Sequence, residues 1–314
     1  MRVSRHSSIH PHTPPRVEIG PASRADMLTH SRGLTARDAE VISYLARHRV
    51  LTALQLARLV FGSYSHARSR LAVLHERGVL ARFRRDIWPG SQQWRYTLGP
   101  VGAVVHAAAT GAALPRPATV TETVLRLAHS THTEHRLGIN DFFANLAGHT
   151  RDHPECALHE WWPENEIAET CAGIVRPDAY GEYTAADGTL AFFYEHDTGT
   201  EPIATLVEKV GKYTELADAG IRKPVLFQLP STSREHNFHI GLAQRWPHKT
   251  PVPVATLPTD QLAPPNHRIT PATPSIVDEL WLPAGHGRRR SLATLMSRRT
   301  QQLEDDRDSH LRSA

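Results

Sequence analysis

The sequence predicts an α/β chain, α+β overall, in which a small module of helices and one β-hairpin precedes a larger mixed sheet flanked by helices. Three observations predict it. Helical and strand periodicities run as three helices and a hairpin within residues 34–99, then alternate across residues 121–284. Charge divides along the chain: residues 35–98 carry eleven Arg against four acids, a balance of +7, whereas residues 120–284 carry twelve basic residues against twenty-two acids, a balance of −10. Finally, Arg176-Pro177-Asp178 and Glu195-His196-Asp197 place three carboxylates at the ends of two strands joined by a turn at Ala186-Asp187-Gly188.

A chain of 314 residues with a net charge of +4 has room for two cores, and no apolar run is long enough to span a bilayer. Cys156 and Cys171 lack metal-ligand spacing, so a cytoplasmic protein free of disulfides and of cysteine-bound zinc is expected. Residues 1–33 have no apolar signal core and read as a disordered tail.

Residues 34–99 form the first module. Thr35 and Asp38 resemble a capping box, and Val41, Ile42 and Leu45 continue an apolar helical face. Thr52 starts a second short helix, which Gly62 ends. A third helix, from about Ser65 to Arg77, buries Ala67, Leu71 and Leu74 and stops at Gly78. A strand at 79–85, a turn at Trp88-Pro89-Gly90-Ser91 and a strand at 93–98 follow. Three helices and a hairpin give the order of a winged helix-turn-helix, a DNA-binding unit. On the third helix Ser65, His66 and Ser69 point away from the apolar face, where base edges are read. Arg68 and Arg70 flank that face and, with Arg82, Arg84 and Arg85 of the hairpin, suit phosphates. A module of this kind also serves protein dimerisation, but the +7 balance favours double-stranded DNA.

Residues 100–120 read as a helix and a linker rich in Ala, Pro and Thr. Residues 121–284 follow as the larger domain: a helix from Thr121 to Ala147 bent near Gly138, a strand at 157–162, the two motif strands, a helix at 202–219, a strand at 224–229, a helix at 233–244 and a segment at 252–257. Residues 285–314, with Arg288-Arg289-Arg290, Arg298-Arg299 and Glu304-Asp305-Asp306, read as a charged tail.

The chemistry concentrates on the two motif strands. Glu195 and Asp197, at i and i+2, project from one face, and Asp178 joins them across the turn. Three such acids repel one another unless a hard cation, Mg²⁺ or Mn²⁺, neutralises them. The chain has only four lysines, and two of them, Lys209 and Lys212, follow Asp197. At ~100° per residue, Ile203, Leu206, Val210, Tyr213, Leu216 and Ala217 make one apolar stripe, and Lys209 falls inside it. An ammonium on a buried face needs a partner, and the acids supply one. Glu134 is a candidate further carboxylate for the metal. The neighbouring His129, His132 and His135 read as ordinary neutral imidazoles on a partly exposed helix.

This arrangement resembles the PD-(D/E)XK nuclease superfamily, a restriction-endonuclease-like fold with a central mixed sheet flanked by helices. Asp178 matches the D of its PD and Glu195 its (D/E), while Asp197 stands where the pattern has Lys. A lysine moved to the following helix, Lys209, fills that role. The chain from Leu34 to about Leu282 is also similar to the replication-relaxation proteins of plasmids and mobile elements. That resemblance implies plasmid replication or conjugative mobilisation: a winged helix on origin DNA, a relaxase or replication protein as partner, and a domain in which Asp178, Glu195, Asp197 and Lys209 nick DNA with Mg²⁺ or Mn²⁺. The alternative is a non-catalytic relaxosome accessory factor or transcriptional repressor that uses the winged helix only.

Overall fold

The computed structural model describes residues 14–20, 33–86, 92–262 and 275–296. It is a mixed α/β protein: a helical region with a small antiparallel sheet, then a six-stranded mixed sheet flanked by helices. The chain divides into two compact units after Ala144. Among the described residues no helix is long and apolar enough to cross a membrane.

Unit 1 is organised by its caps. Helix α1 (Ala36–His48) begins in a capping box, with the Thr35 N–H donating to Asp38 Oδ2 at 2.8 Å and the Asp38 N–H to Thr35 Oγ1 at 3.3 Å. Strand β2 (Leu51–Thr52) leads into α2 (Ala53–Leu56), capped by a second box between Thr52 and Gln55 and continued by a π-helical turn over Ala57–Phe61. Gly62, at φ 69°, stops that turn in the left-handed region that glycine tolerates. Helix α3 (Tyr64–Glu76) buries Ala67, Leu71 and Leu74, as its spacing predicts. Strands β3 (Leu80–Arg84) and β4 (Arg95–Leu98) then pair antiparallel. The expected turn at Trp88-Pro89-Gly90-Ser91 lies outside the described residues.

Asp38 does more than cap. Its side chain is buried, and it also accepts from Arg70 Nε at 2.8 Å. Although burial works against the charge, the hydrogen bonds from Arg70 and Thr35 hold its carboxyl below the usual range. Asp38→Ala is expected to lose about 2 kcal/mol of stability, because cap and ion pair go together and Arg70 is left without its carboxylate. An unchanged midpoint in urea denaturation would contradict that.

Three features of this unit differ from the sequence expectation. Within the expected tail, Arg16–Glu18 forms a strand, β1, paired antiparallel with β3, giving the sheet order β1-β3-β4-β2. The expected single helix bent near Gly138 is instead two, α5 (Pro117–His129) and α6 (Thr133–Asp152), after α4 (Pro100–Thr110). Their break falls at Ser130, where the backbone turns extended and the Thr133 hydroxyl caps Leu127 O at 2.7 Å; Gly138 lies within α6. Lastly, α5 and the start of α6 belong to unit 1, whereas the sequence places the boundary at residue 120. Leu127, Ala128 and Leu137 pack with Val17, Val50 and Phe83 in one core. Polar ties reinforce it, from Asn140 Nδ2 to Val50 O at 2.7 Å and from Gln55 Nε2 to Leu137 O at 2.9 Å.

Unit 2 is built on a sheet of order β10-β9-β8-β7-β6-β5. Strands β5 (Ala157–Pro163), β6 (Ala179–Ala185) and β7 (Gly188–His196) run antiparallel, and β6 turns into β7 through Ala186 and Asp187 alone. Helix α7 (Glu164–Thr170), not expected from the sequence, lies between β5 and β6; its first turn carries Glu164 and Glu166, a favourable placement beside free N–H groups. Helix α8 (Ile203–Asp218) connects β7 to the parallel β8 (Val225–Leu229), and α9 (Thr232–Arg245) connects β8 to the parallel β9 (Val254–Pro258). The expected α8 stripe is buried: Leu206, Val210, Tyr213, Leu216 and Ala217 join Phe193, Val225, Phe227 and Phe238 in one core. Phe193 and Glu195 therefore face α8, while Phe192, Tyr194 and His196 face the other side of the sheet.

Part of the expected C-terminal tail is structured. Strand β10 (Leu282–Pro283) closes the sheet, Trp281 and Arg290 exchange backbone hydrogen bonds, and Arg289 pairs with buried Glu235 ahead of α10 (Leu292–Met296). Arg298, Arg299 and the acids from Glu304 lie outside the described residues.

Candidate functional site

The pairing of β6 with β7 builds the site. Ala179 stands opposite Tyr194, so Asp178, one residue before β6, stands opposite Glu195, and opposed residues share a face. The Asp178 carboxylate extends the ladder itself, accepting the His196 N–H at 2.7 Å. Glu195 is buried at 3% exposure on the face that α8 covers. Lys209 and Tyr213, one helical turn apart, meet it there: Lys209 Nζ donates to Glu195 Oε2, and the Tyr213 hydroxyl to Oε1. Lys212, one step round the helix, is exposed.

The electrostatics follow from a buried Glu195 placed beside Asp178 and the partly exposed Lys209 ammonium. Burial, and then the Asp178 charge, push the Glu195 carboxyl up to about 8, against the opposing pull of Lys209 and Tyr213. Burial works against the Lys209 charge, but Glu195 and Asp178 outweigh it and raise the ammonium above its ordinary value. Burial and the adjoining Glu195 raise the Tyr213 hydroxyl as well, which keeps it a donor. At neutral pH the cluster therefore holds a charged Lys209 and a Glu195 that retains its proton for much of the time.

Asp197 takes a different place. It follows Glu195 on the same face, as the pleat requires, but a second helix captures it. Arg234 of α9 grips its carboxylate through Nε and, at 3.0 Å, Nη2, and the Gly199 N–H donates to it at 2.8 Å. The same guanidinium reaches Glu201 O at 2.6 Å, so the pair pins the loop that leads into α8. Glu134 also stands elsewhere, paired with the buried Arg95 in unit 1.

Of the four predicted residues, then, Asp178, Glu195 and Lys209 converge and Asp197 does not. Among the described residues, no group of three or more His, Cys, Asp or Glu side chains is placed to hold a metal ion. Two carboxylates do stand together. Mg²⁺ and Mn²⁺ are commonly held by one or two carboxylates with water, so Asp178 and Glu195 fit such an ion, with Asp197 serving the loop. Sequence reasoning missed two residues. Tyr213 carried a signal, lying four residues after Lys209 on the same stripe. Arg234 carried none, because its partner is 37 positions away.

In unit 1, Ser65, His66, Arg68 and Ser69 lie exposed on α3, and Arg68 rests over the Tyr64 ring. Arg70 is drawn inward to Asp38 instead of standing toward phosphates, Arg82 pairs with Glu18, Arg84 stacks on Trp94, and Arg85 is half-buried.

Fold and site together define an α/β protein with a carboxylate–ammonium cluster, centred on the buried Glu195, at the strand ends of a mixed sheet, joined to an arginine-rich helical unit. The family model described as replication-relaxation matches residues 42–229, more than half of the chain, including Asp178, Glu195, Lys209 and Tyr213. The chain belongs to the replication-relaxation family, and that membership implies a role in plasmid replication. No curated protein and no solved structure matches it.

Proposed function

We propose that this is a DNA-binding protein of plasmid replication or conjugative mobilisation, with a winged helix in residues 34–99 that holds duplex DNA and a PD-(D/E)XK-like domain that nicks it by phosphodiester hydrolysis. The observation that carries the catalytic reading is the meeting of Lys209 with Glu195 beside Asp178, the D, E and K of that pattern with the lysine supplied by the following helix. Mg²⁺ or Mn²⁺, held by Asp178 and Glu195, would supply a Lewis acid that activates water. Tyr213 fixes the Glu195 carboxylate, Lys209 stabilises the negative charge that develops on the phosphate, and Arg234 with Asp197 fixes the loop entering α8. Glu195 must lose its proton to serve as a ligand, so metal binding strengthens as pH rises toward about 8. The winged-helix reading is supported by the order of α1 to α3 and the β3–β4 hairpin, and by the exposed polar face of α3.

A second reading, a non-catalytic accessory factor or repressor, is favoured by one observation: both Glu195 oxygens are already engaged within the protein, as is Asp197. Nicking of supercoiled plasmid with Mn²⁺ separates the two. Wild type is expected to nick, and Asp178→Ala and Glu195→Ala to fall by about 100-fold or more. Equal residual nicking in all three proteins would remove the catalytic reading and leave the accessory one.

A further inference from the structure

One face of the small sheet in unit 1 carries a cationic platform. Arg16 stands opposite Arg84, Glu18 opposite Arg82, and Arg82 opposite Tyr96. Since opposed residues share a face, Arg16, Glu18, Arg82, Arg84, Trp94 and Tyr96 lie on one side, while Val17 and Phe83 enter the core on the other. The Arg82 and Arg84 guanidiniums each lie 4.3 Å from the Trp94 ring centre, and that of Arg16 lies 5.6 Å away. A guanidinium stacked by its plane keeps its N–H edge for an oxyanion.

Among the described residues, Glu18 is the carboxylate shown paired with this platform. Glu18 receives Arg16 and Arg82, each at 2.6 Å, and faces His75 at 3.4 Å. Arg84 Nε is buried with no hydrogen-bond partner. The platform also adjoins α3, whose His75 faces Glu18.

We propose that this face is a phosphate-backbone contact for duplex DNA, formed by Arg16, Arg82 and Arg84 on Trp94, and that Glu18 competes with the phosphates for it. The proposal rests on the DNA-binding reading above and names the contact surface and its internal regulator. Charge complementarity sets the occupant: among the described residues, three guanidiniums on one ring with Glu18 beside them suit a regular polyanion. A duplex lets a helix and the adjoining sheet meet phosphates across one groove. The indole is already covered by guanidiniums, so it offers no free ring for stacking an unpaired base.

The test is fluorescence anisotropy of the full chain on a short duplex, and on one of its strands, over a range of salt. Arg84→Ala is expected to weaken duplex binding several-fold and to lower the slope of log K against log salt by about 1, while Arg84→Lys restores the slope but not the full affinity. Glu18→Gln should act in the opposite sense, tightening binding and steepening the slope. Circular dichroism melts check each fold, and Arg16→Ala replaces any Arg84 variant that fails to fold. Wild-type binding with Arg84→Ala and Glu18→Gln both unchanged would overturn this proposal and leave the DNA-binding reading standing. Equal affinity for the single strand would overturn the duplex assignment, whereas no binding by wild type at low salt would sink the DNA-binding reading itself.

Discussion

Lys209→Ala is expected to destabilise the protein by about 3–5 kcal/mol near pH 9, and by clearly less near pH 5. The alanine leaves Glu195 and Asp178 opposed across β6 and β7 with no ammonium between them, and Glu195 has little access to water. At high pH Glu195 is ionised, and the full cost of an uncompensated buried charge falls on the fold. At low pH a proton on Glu195 takes the place of the lost cation, so much of the cost disappears. Urea denaturation at the two pH values measures the difference. A variant as stable as wild type at both would show that the ammonium holds nothing together.

Glu195→Gln is expected to change the shape of the pH–stability curve. The folded-state carboxyl sits at about 8 against an ordinary value of 4.5, so the folded protein binds this proton more tightly than the unfolded chain does. The stability it contributes is fully present below about pH 4.5 and is lost as pH rises through about 8. Summed across that window, the loss is on the order of 3–5 kcal/mol. Glutamine cannot ionise, and its amide can still accept from Lys209 and donate to the Tyr213 hydroxyl. The variant should therefore hold its stability toward pH 9 while wild type declines, the gap opening between about pH 5 and 9. Parallel curves would mean that Glu195 titrates as a free carboxylate does.

The two variants also probe what the sequence could disclose. The Lys209 contact was legible because burying an ammonium is costly and the α8 stripe is periodic: a lysine between Tyr213 and Leu216 had to find acids, and the chain offers them at the ends of β6 and β7. The capping box at Thr35, the arginine-rich hairpin and the alternation of strands and helices in unit 2 were legible for the same reason. Each is a local pattern with a fixed spacing. The break between α5 and α6 was misplaced because Gly138 is the conventional signal, whereas the Ser130 turn depends on the Thr133 hydroxyl capping Leu127. Strand β1 was missed because three residues of a polar segment carry no period, and only β3 shows where they pair.

By itself, then, the sequence determined which side chains share a face: Asp178 with Glu195 and Asp197 by the alternation of strands, Lys209 with Tyr213 by the helical turn. Tertiary structure alone decided which of them meet. Asp197 obeys the same alternation as Glu195, yet α9 packs over its end of the sheet and brings Arg234 to it, so the third carboxylate closes a loop and leaves the cluster. Arg70 was drawn inward to Asp38 in the same way. A charge taken out of water pairs with the nearest opposite charge that packing delivers, and which helix packs there is set by contacts far apart along the chain.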